Sequence, residues 1–183
     1  MQLTGDRIVL RRPQAVDVEF RYRWFADPDV TRFLPLAGRG ALPQEDIASY
    51  IARVSESDRP VLDFTIALLN GQPIGSCSLR DFDKANRAEL SLLIGDRSVW
   101  GQGYGREAMR LLTDHGFRDL GLHALWLVVR ADNQRAVKLY HGLGFRLDGT
   151  MRAAALADGV YYDKLLMSIL ATEWDPHLAK VTT

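Results

Sequence analysis

The sequence predicts a single α/β domain in which strands and helices share one core. Two strand-like runs, Asp63 to Leu69 and Pro73 to Arg80, are joined by Asn70 and Gly71, a pair whose tolerance of positive φ suits a tight hairpin. Further on, the strand-like AELSLLIG (Ala88 to Gly95) leads through the glycine-rich WGQGYG (Trp100 to Gly105) into a helical pattern and then a further strand. The 183 residues, 47% of them hydrophobic, suffice for one buried core without metals or disulfide staples.

The remaining elements follow in order. Ile8 to Arg12 reads as an opening strand stopped by Pro13, and Asp17 to Phe25 as a first helix that Asp27, Pro28 and Asp29 end. A second helix is expected from about Pro43, with Glu45 and Asp46 beside the positive end of its dipole, fading over Ser57 to Pro60. In Ala88 to Gly95, Glu89, Ser91 and Leu93 share one face, and Leu90, Leu92 and Ile94 the other. Ala108, Leu111, Leu112 and His115 recur at helical spacing after Tyr104, and Gly121 marks a stop before the strand Ala124 to Val129. A short helix from about Asn133 to Gly142 follows, then strands at Phe145 to Met151 and Val160 to Leu170, the second preceded by the turn-former Asp158 and Gly159.

Composition narrows the function classes. The 23 basic and 23 acidic residues are spread evenly over both halves, so no basic face for nucleic acid is announced. Cys77 is the single cysteine, which excludes an intramolecular disulfide and a multi-cysteine metal site and reads as a small buried thiol in a reducing compartment. His115 and His141 have no partner at metal-ligand spacing, so no metal is expected. No segment reaches the roughly 18 apolar residues of a membrane span, and the N-terminus lacks a leader-like apolar core. A cytoplasmic protein is the expectation. G-x-S-x-G and G-x-x-x-x-G-K-[ST] are both absent, so neither a serine nucleophile nor P-loop phosphoryl transfer is expected.

The segment that invites chemistry is WGQGYG. A diphosphate needs several converging backbone N–H groups, and a helix N-terminus supplies them with a favourable dipole. Gly101, Gly103 and Gly105 remove the Cβ atoms that would block approach, while Arg97 and Arg106 flank the turn. Taken alone, the same glycines describe an ordinary strand-to-helix turn.

Read together, AELSLLIGDRSVWGQGYGREAMRLL and the later ADNQRAVKLYHGLGF resemble the GCN5-related N-acetyltransferases (GNAT), most closely their RimJ/RimL-like branch, over about residues 7 to 174. The family loop is Q/R-x-x-G-x-G/A; Gly103, Tyr104 and Gly105 match its second half, and Trp100 stands in the Gln/Arg place. The resemblance implies a mixed, mostly antiparallel sheet of about seven strands flanked by about four helices. Its fourth and fifth strands, Ala88 to Gly95 and Ala124 to Val129, would splay apart to admit the pantetheine arm. It implies acetyl-coenzyme A (acetyl-CoA) as co-substrate, its pyrophosphate held by backbone N–H groups of Gln102 to Arg106, with Asn133 and Arg135 as further coenzyme contacts.

By the same resemblance, Tyr140 protonates the departing thiolate, Glu89 takes a proton from the acceptor amine, and N–H groups near Leu93 and Ile94 steady the oxyanion. Each has an ordinary alternative: Asn133 is a good N-cap, Tyr140 lies at core spacing with Ala136, Leu139 and Leu143, and Glu89 could pair with Arg87, Arg130 or another cation. The implied acceptor is a primary amine: a protein N-terminus, a polyamine or another small amine. Trp24, Phe33, Leu34, Tyr161 and Tyr162 are candidates to shape its site, with an ordinary core role the favoured reading of each, and Asp27, Asp29, Glu45 and Asp46 could attract a polycation or, as the favoured reading, form a solvated surface. A homodimer is compatible with the family. The rival reading is a non-catalytic acyl-CoA-binding sensor or interaction domain on the same fold.

Overall fold

The computed structural model describes residues 1–34, 42–56 and 61–176; the expected fading of the second helix over 57–60 lies outside these. One eight-stranded sheet runs through the molecule: β1 (Gln2–Thr4), β2 (Ile8–Arg11), β3 (Leu62–Leu68), β4 (Pro73–Arg80), β5 (Arg87–Ile94), β6 (Ala124–Arg130), β7 (Arg146–Ala157) and β8 (Val160–Leu170). Their order across the sheet is β1-β2-β3-β4-β5-β6-β8-β7. All neighbours are antiparallel except β5 and β6. Among the described residues five α-helices accompany the sheet: α1 (Asp17–Ala26), α2 (Pro28–Thr31), α3 (Gln44–Glu56), α4 (Tyr104–Arg118) and α5 (Gln134–His141). No helix of the described residues is long and apolar enough to cross a membrane.

Two elements exceed the sequence expectation of about seven strands and four helices. β1 is a three-residue edge strand, too short to show periodicity, that exists by pairing with β2. The residues expected to stop the first helix start another: the Asp27 carboxylate accepts the Asp29 N–H at 2.9 Å, and Pro28 fills the first position of α2. β7 also runs beyond Met151 to Ala157, because the long ribbon with β8 continues past an irregularity between Met151 and Ala155.

The two faces of the sheet are chemically different. On one, Phe64, Ile66, Leu79, Leu90, Leu125 and Leu127 pack against Met109 and Leu112 of α4 in a continuous apolar core. On the other, β3 presents Asp63 and Thr65, both buried, to α1. α1 answers with a polar stripe: its buried residues are Asp17, Arg21 and Trp24, at i, i+4 and i+7. Arg11 grips Asp17 through two 2.8 Å hydrogen bonds, while the Gln14 N–H and the Thr65 hydroxyl each donate to it at 2.8 Å. Arg21 meets Asp63 at 2.7 Å, and the Tyr50 hydroxyl of α3 donates to the same carboxylate at 2.6 Å. Trp24 lies where a Cβ on Gly95 would fall, so only glycine lets α1 close on the end of β5.

Asp17→Asn should lower the unfolding free energy by about 3–5 kcal/mol near neutral pH, the range for removing one partner of a buried ion pair. Burial pushes the Asp17 carboxyl up, but hydrogen bonds from Arg11, Gln14 and Thr65 outweigh it and hold the group below its ordinary 3.8. Its contribution is therefore complete above that ordinary value and is lost as pH falls through the lower folded-state value. Urea unfolding at stepped pH is the check: the difference between parent and variant should be constant above about pH 5 and close in acid.

Candidate functional site

β5 and β6 pair over three residues only, Arg87 with Ala124, Ala88 with Leu125 and Glu89 with Trp126. Beyond Glu89 the two strands diverge, because each is committed to its other neighbour: β5 stays in register with β4 as far as Ile94, and β6 with β8 as far as Arg130. The wedge between them is the expected splay, displaced by one strand number because β1 precedes it. It opens into a cleft of about 1070 Å³. The start of α4 borders it on the β5 side, and the start of α5 on the β6 side.

The loop leading into α4 is shaped by two left-handed glycines, Gly101 at φ 81° and Gly103 at φ 85°. Gly103 is the N-cap and has no side chain to bond the helix head. The first N–H satisfied inside the helix is that of Glu107, which donates to the Gly103 carbonyl at 3.1 Å. The N–H groups of Gly101, Gly103, Tyr104, Gly105 and Arg106 donate to no described residue. These orphan donors, at the positive end of a 15-residue helix, are a ready anion cradle.

Of the predicted residues, Glu89, Leu93, Ile94, Arg97, Gly101, Gly103, Tyr104, Gly105, Arg106, Asn133, Arg135 and Tyr140 all line the cleft. Gln102 does not: its side chain turns back to the Ser98 carbonyl at 3.0 Å, and its own carbonyl accepts from Arg7 at 2.9 Å. The two flanking arginines are already engaged. Arg97 pairs with Asp29 at 2.7 Å and Asp27 at 3.3 Å, and Arg106 donates to the Gly142 carbonyl at 2.9 Å. Trp100, in the Gln/Arg place of the loop, ties the loop to β5 by donating its indole N–H to the Ile94 carbonyl at 2.9 Å. The guanidinium groups of Arg97 and Arg135 lie over its ring at 5.7 and 5.2 Å.

Tyr140 serves the core and the cleft together. Its ring is buried, 5.9 Å from Phe145, while its hydroxyl bonds to no described residue. Burial pushes the phenol up to about 12, so it keeps its proton at neutral pH. Glu89 is paired, with Arg80 at 2.8 Å rather than with Arg87 or Arg130, which bind Asp83 and Asp132. Arg80 stands directly across from Glu89 in the β4–β5 register. Asn133 caps α5, its side chain accepting the Ala136 N–H at 3.3 Å.

The expected acceptor-side residues divide. Phe33 and Leu34 line the cleft; Trp24 is core under Gly95, and neither Tyr161 nor Tyr162 lines the cleft. Asp29 reaches the cleft but is held by Arg97, and Glu45 and Asp46 are exposed on α3 away from it. The sequence reading missed Arg7, Arg80, Ser91, Arg130 and Lys164. Arg7 supports the loop from 100 residues away, bonding Glu107 through both its backbone N–H and its Nε. Nothing local signals that contact, whereas Ser91 follows Glu89 on the same face of β5 and Arg80 stands across from Glu89 on the preceding strand. Ser91 meets Ser78 there at 2.7 Å.

Comparison with known proteins agrees with this geometry. A family model described as acetyltransferase (GNAT) domain matches residues 7–146. An uncharacterized N-acetyltransferase of Bacillus licheniformis, p20, is 28% identical over 94% of this chain and 97% of its own length. Spermidine N(1)-acetyltransferase of Escherichia coli K12 is 28% identical over 57% of this chain and 56% of its own. The crystal structure of spermidine N-acetyltransferase from Vibrio cholerae in complex with CoA and spermine superposes with a TM-score of 0.84 at 21% identity, covering 92% of this chain and 98% of that one. The chain belongs to the GNAT family of acetyltransferases and is accordingly an acetyl-CoA-dependent acyltransferase.

Proposed function

We propose that the protein transfers the acetyl group of acetyl-CoA to a primary amine by direct attack, with no covalent enzyme intermediate. One observation carries this reading. The orphan N–H groups of Gly101 and Gly103 to Arg106 open onto the same cleft as Glu89 and Tyr140, so a diphosphate anchor, a carboxylate and a protonated phenol share one space.

In this reading the loop N–H groups and the helix dipole hold the pyrophosphate, Asn133 and Arg135 add contacts from α5, and the unpaired edge of β5 beyond Glu89 receives the pantetheine arm. Glu89, paired with Arg80, takes the proton released by the attacking amine, through water where the reach requires it. N–H groups near Leu93 and Ile94 steady the oxygen that gains negative charge. The C–N bond forms as the C–S bond breaks, and the Tyr140 hydroxyl passes its proton to the sulfur. A phenol near 12 is a weak acid, but it is a donor that never empties in the working range, and its target thiolate is normally a base of about 8.5. Arg97 and Arg106 would have to release their present partners to touch phosphate, so backbone donors bear most of the anchoring.

Tyr140→Phe should lower turnover by about 10- to 1000-fold with the affinity for CoA unchanged, read by thiol release and calorimetry. The raised phenol pKa adds a pH signature. Turnover assigned to Tyr140 is retained below its folded value and lost only as pH rises through about 12, so kcat should not fall between pH 8 and 10. A drop through pH 10 that Tyr140→Phe abolishes would indicate an ordinary, solvated phenol instead. Gly103→Val should weaken CoA binding by at least about 10-fold in calorimetry, since it strains a left-handed position and places branched carbons at the cradle. Unaltered affinity would remove the loop from the site.

A further inference from the structure

Resting on that reading, we infer that the acceptor is an amine that also carries an anionic group, held by Lys164 beside Arg130, and not a polyamine. The charges lining the cleft are lopsided. Only Asp29 and Glu89 are acidic among the lining residues, and each already has an arginine partner, at 2.7 and 2.8 Å. Among the described residues, none that lines the cleft offers a second ammonium a free carboxylate.

The basic side is the opposite case. Lys164 on β8 and Arg130 on β6 stand directly across from each other in the sheet, and both line the cleft. Like charges in that relation repel, so the pair needs compensation. Arg130 has it: Asp132 accepts from its Nε and Nη2 at 2.9 and 2.7 Å, the Arg32 carbonyl accepts from its Nη1 at 3.1 Å, and the Tyr162 ring lies 3.8 Å beneath it. Lys164 has none. It is half-buried and makes no ion pair or hydrogen bond with any described residue.

A half-buried, unpaired ammonium beside a guanidinium is unfavourable on its own and becomes favourable when an anion arrives. The cradle lies at the head of α4 on the β5 side of the cleft, whereas Lys164 stands on β8, with β6 between β8 and β5. The same positive field lowers the pKa of an incoming amine, raising the fraction that is neutral and nucleophilic. A carboxylate or phosphate borne by the acceptor, such as an amino acid or a peptide with an acidic second residue, satisfies both conditions; spermidine meets repulsion.

The test uses matched acceptors that differ only in a distal carboxylate, carboxamide or ammonium. It measures thiol release from acetyl-CoA and, separately, calorimetric binding of each acceptor to the CoA-bound protein. The carboxylate form should exceed the carboxamide by about 10-fold or more in kcat/KM and in affinity, with the ammonium form weakest. Lys164→Ala should bring the carboxylate-to-carboxamide ratio towards one, and Lys164→Glu should reverse the order in favour of the ammonium. A wild-type preference for the ammonium, or a ratio that Lys164→Ala leaves intact, overturns the inference. So does a loss of CoA affinity in Lys164→Ala, which would assign the ammonium to the donor. Absence of thiol release with every acceptor would sink the transferase reading, while the binding ratios would still decide the acceptor's charge.

Discussion

The cleft exists because two parallel strands part. A parallel pair that stayed in register beyond Glu89 and Trp126 would fill its own hydrogen bonds and leave no room for a ligand. Each strand instead follows its antiparallel neighbour, and the hydrophobic core beneath, from Leu90 to Leu127, keeps the wedge from closing. The backbone left unpaired is then satisfied only by something that enters from outside. The orphan donors at the head of α4 are turned to the same opening, and Trp100 fixes them to the end of β5 through the Ile94 carbonyl.

The wall facing that opening is built by different means. Most helices dock through apolar stripes, but α1 docks through Asp17 and Arg21, each met by an opposite charge from β2 or β3. Buried ion pairs add little net stability over an apolar contact, yet they tolerate no shift in register, since a displaced charge would be left without a partner. α1 is thereby held in one position, Trp24 closes on Gly95, and the turn carrying Asp29 and Phe33 is delivered to the cleft. Arg97, bound to Asp27 and Asp29, links this wall to the glycine-rich loop.

Charge in the cleft is distributed by the same logic. At the head of α4, backbone N–H groups stand free while the nearby arginines are occupied with carbonyls and carboxylates. Along β6 and β8 the backbone is paired within the sheet, and the Arg130 and Lys164 side chains carry the positive charge. Tyr140 lines the same cleft, its acidity reduced by the burial that also holds its ring against Phe145.

Much of this could be read from the chain alone. The Asn70 and Gly71 hairpin, the strand entering WGQGYG and the helix leaving it depend on local backbone preference and on periodicity against a core, which neighbouring residues determine. The glycine-rich turn that leaves N–H groups open at the head of α4 was legible for the same reason: glycines before a helix are a local fact. Long-range geometry was not legible. β1 has no pattern of its own, Asp27 to Asp29 could end one helix or begin the next, and Arg7 reaches Glu107 across 100 residues. Which cation would claim Glu89, that Trp24 would pack under Gly95, and that Lys164 would stand unpaired opposite Arg130 were set by strand register and helix docking. Local sequence determines where backbone donors are exposed; only the packed sheet decides which distant charges meet, because ion pairing depends on distances that the fold alone creates.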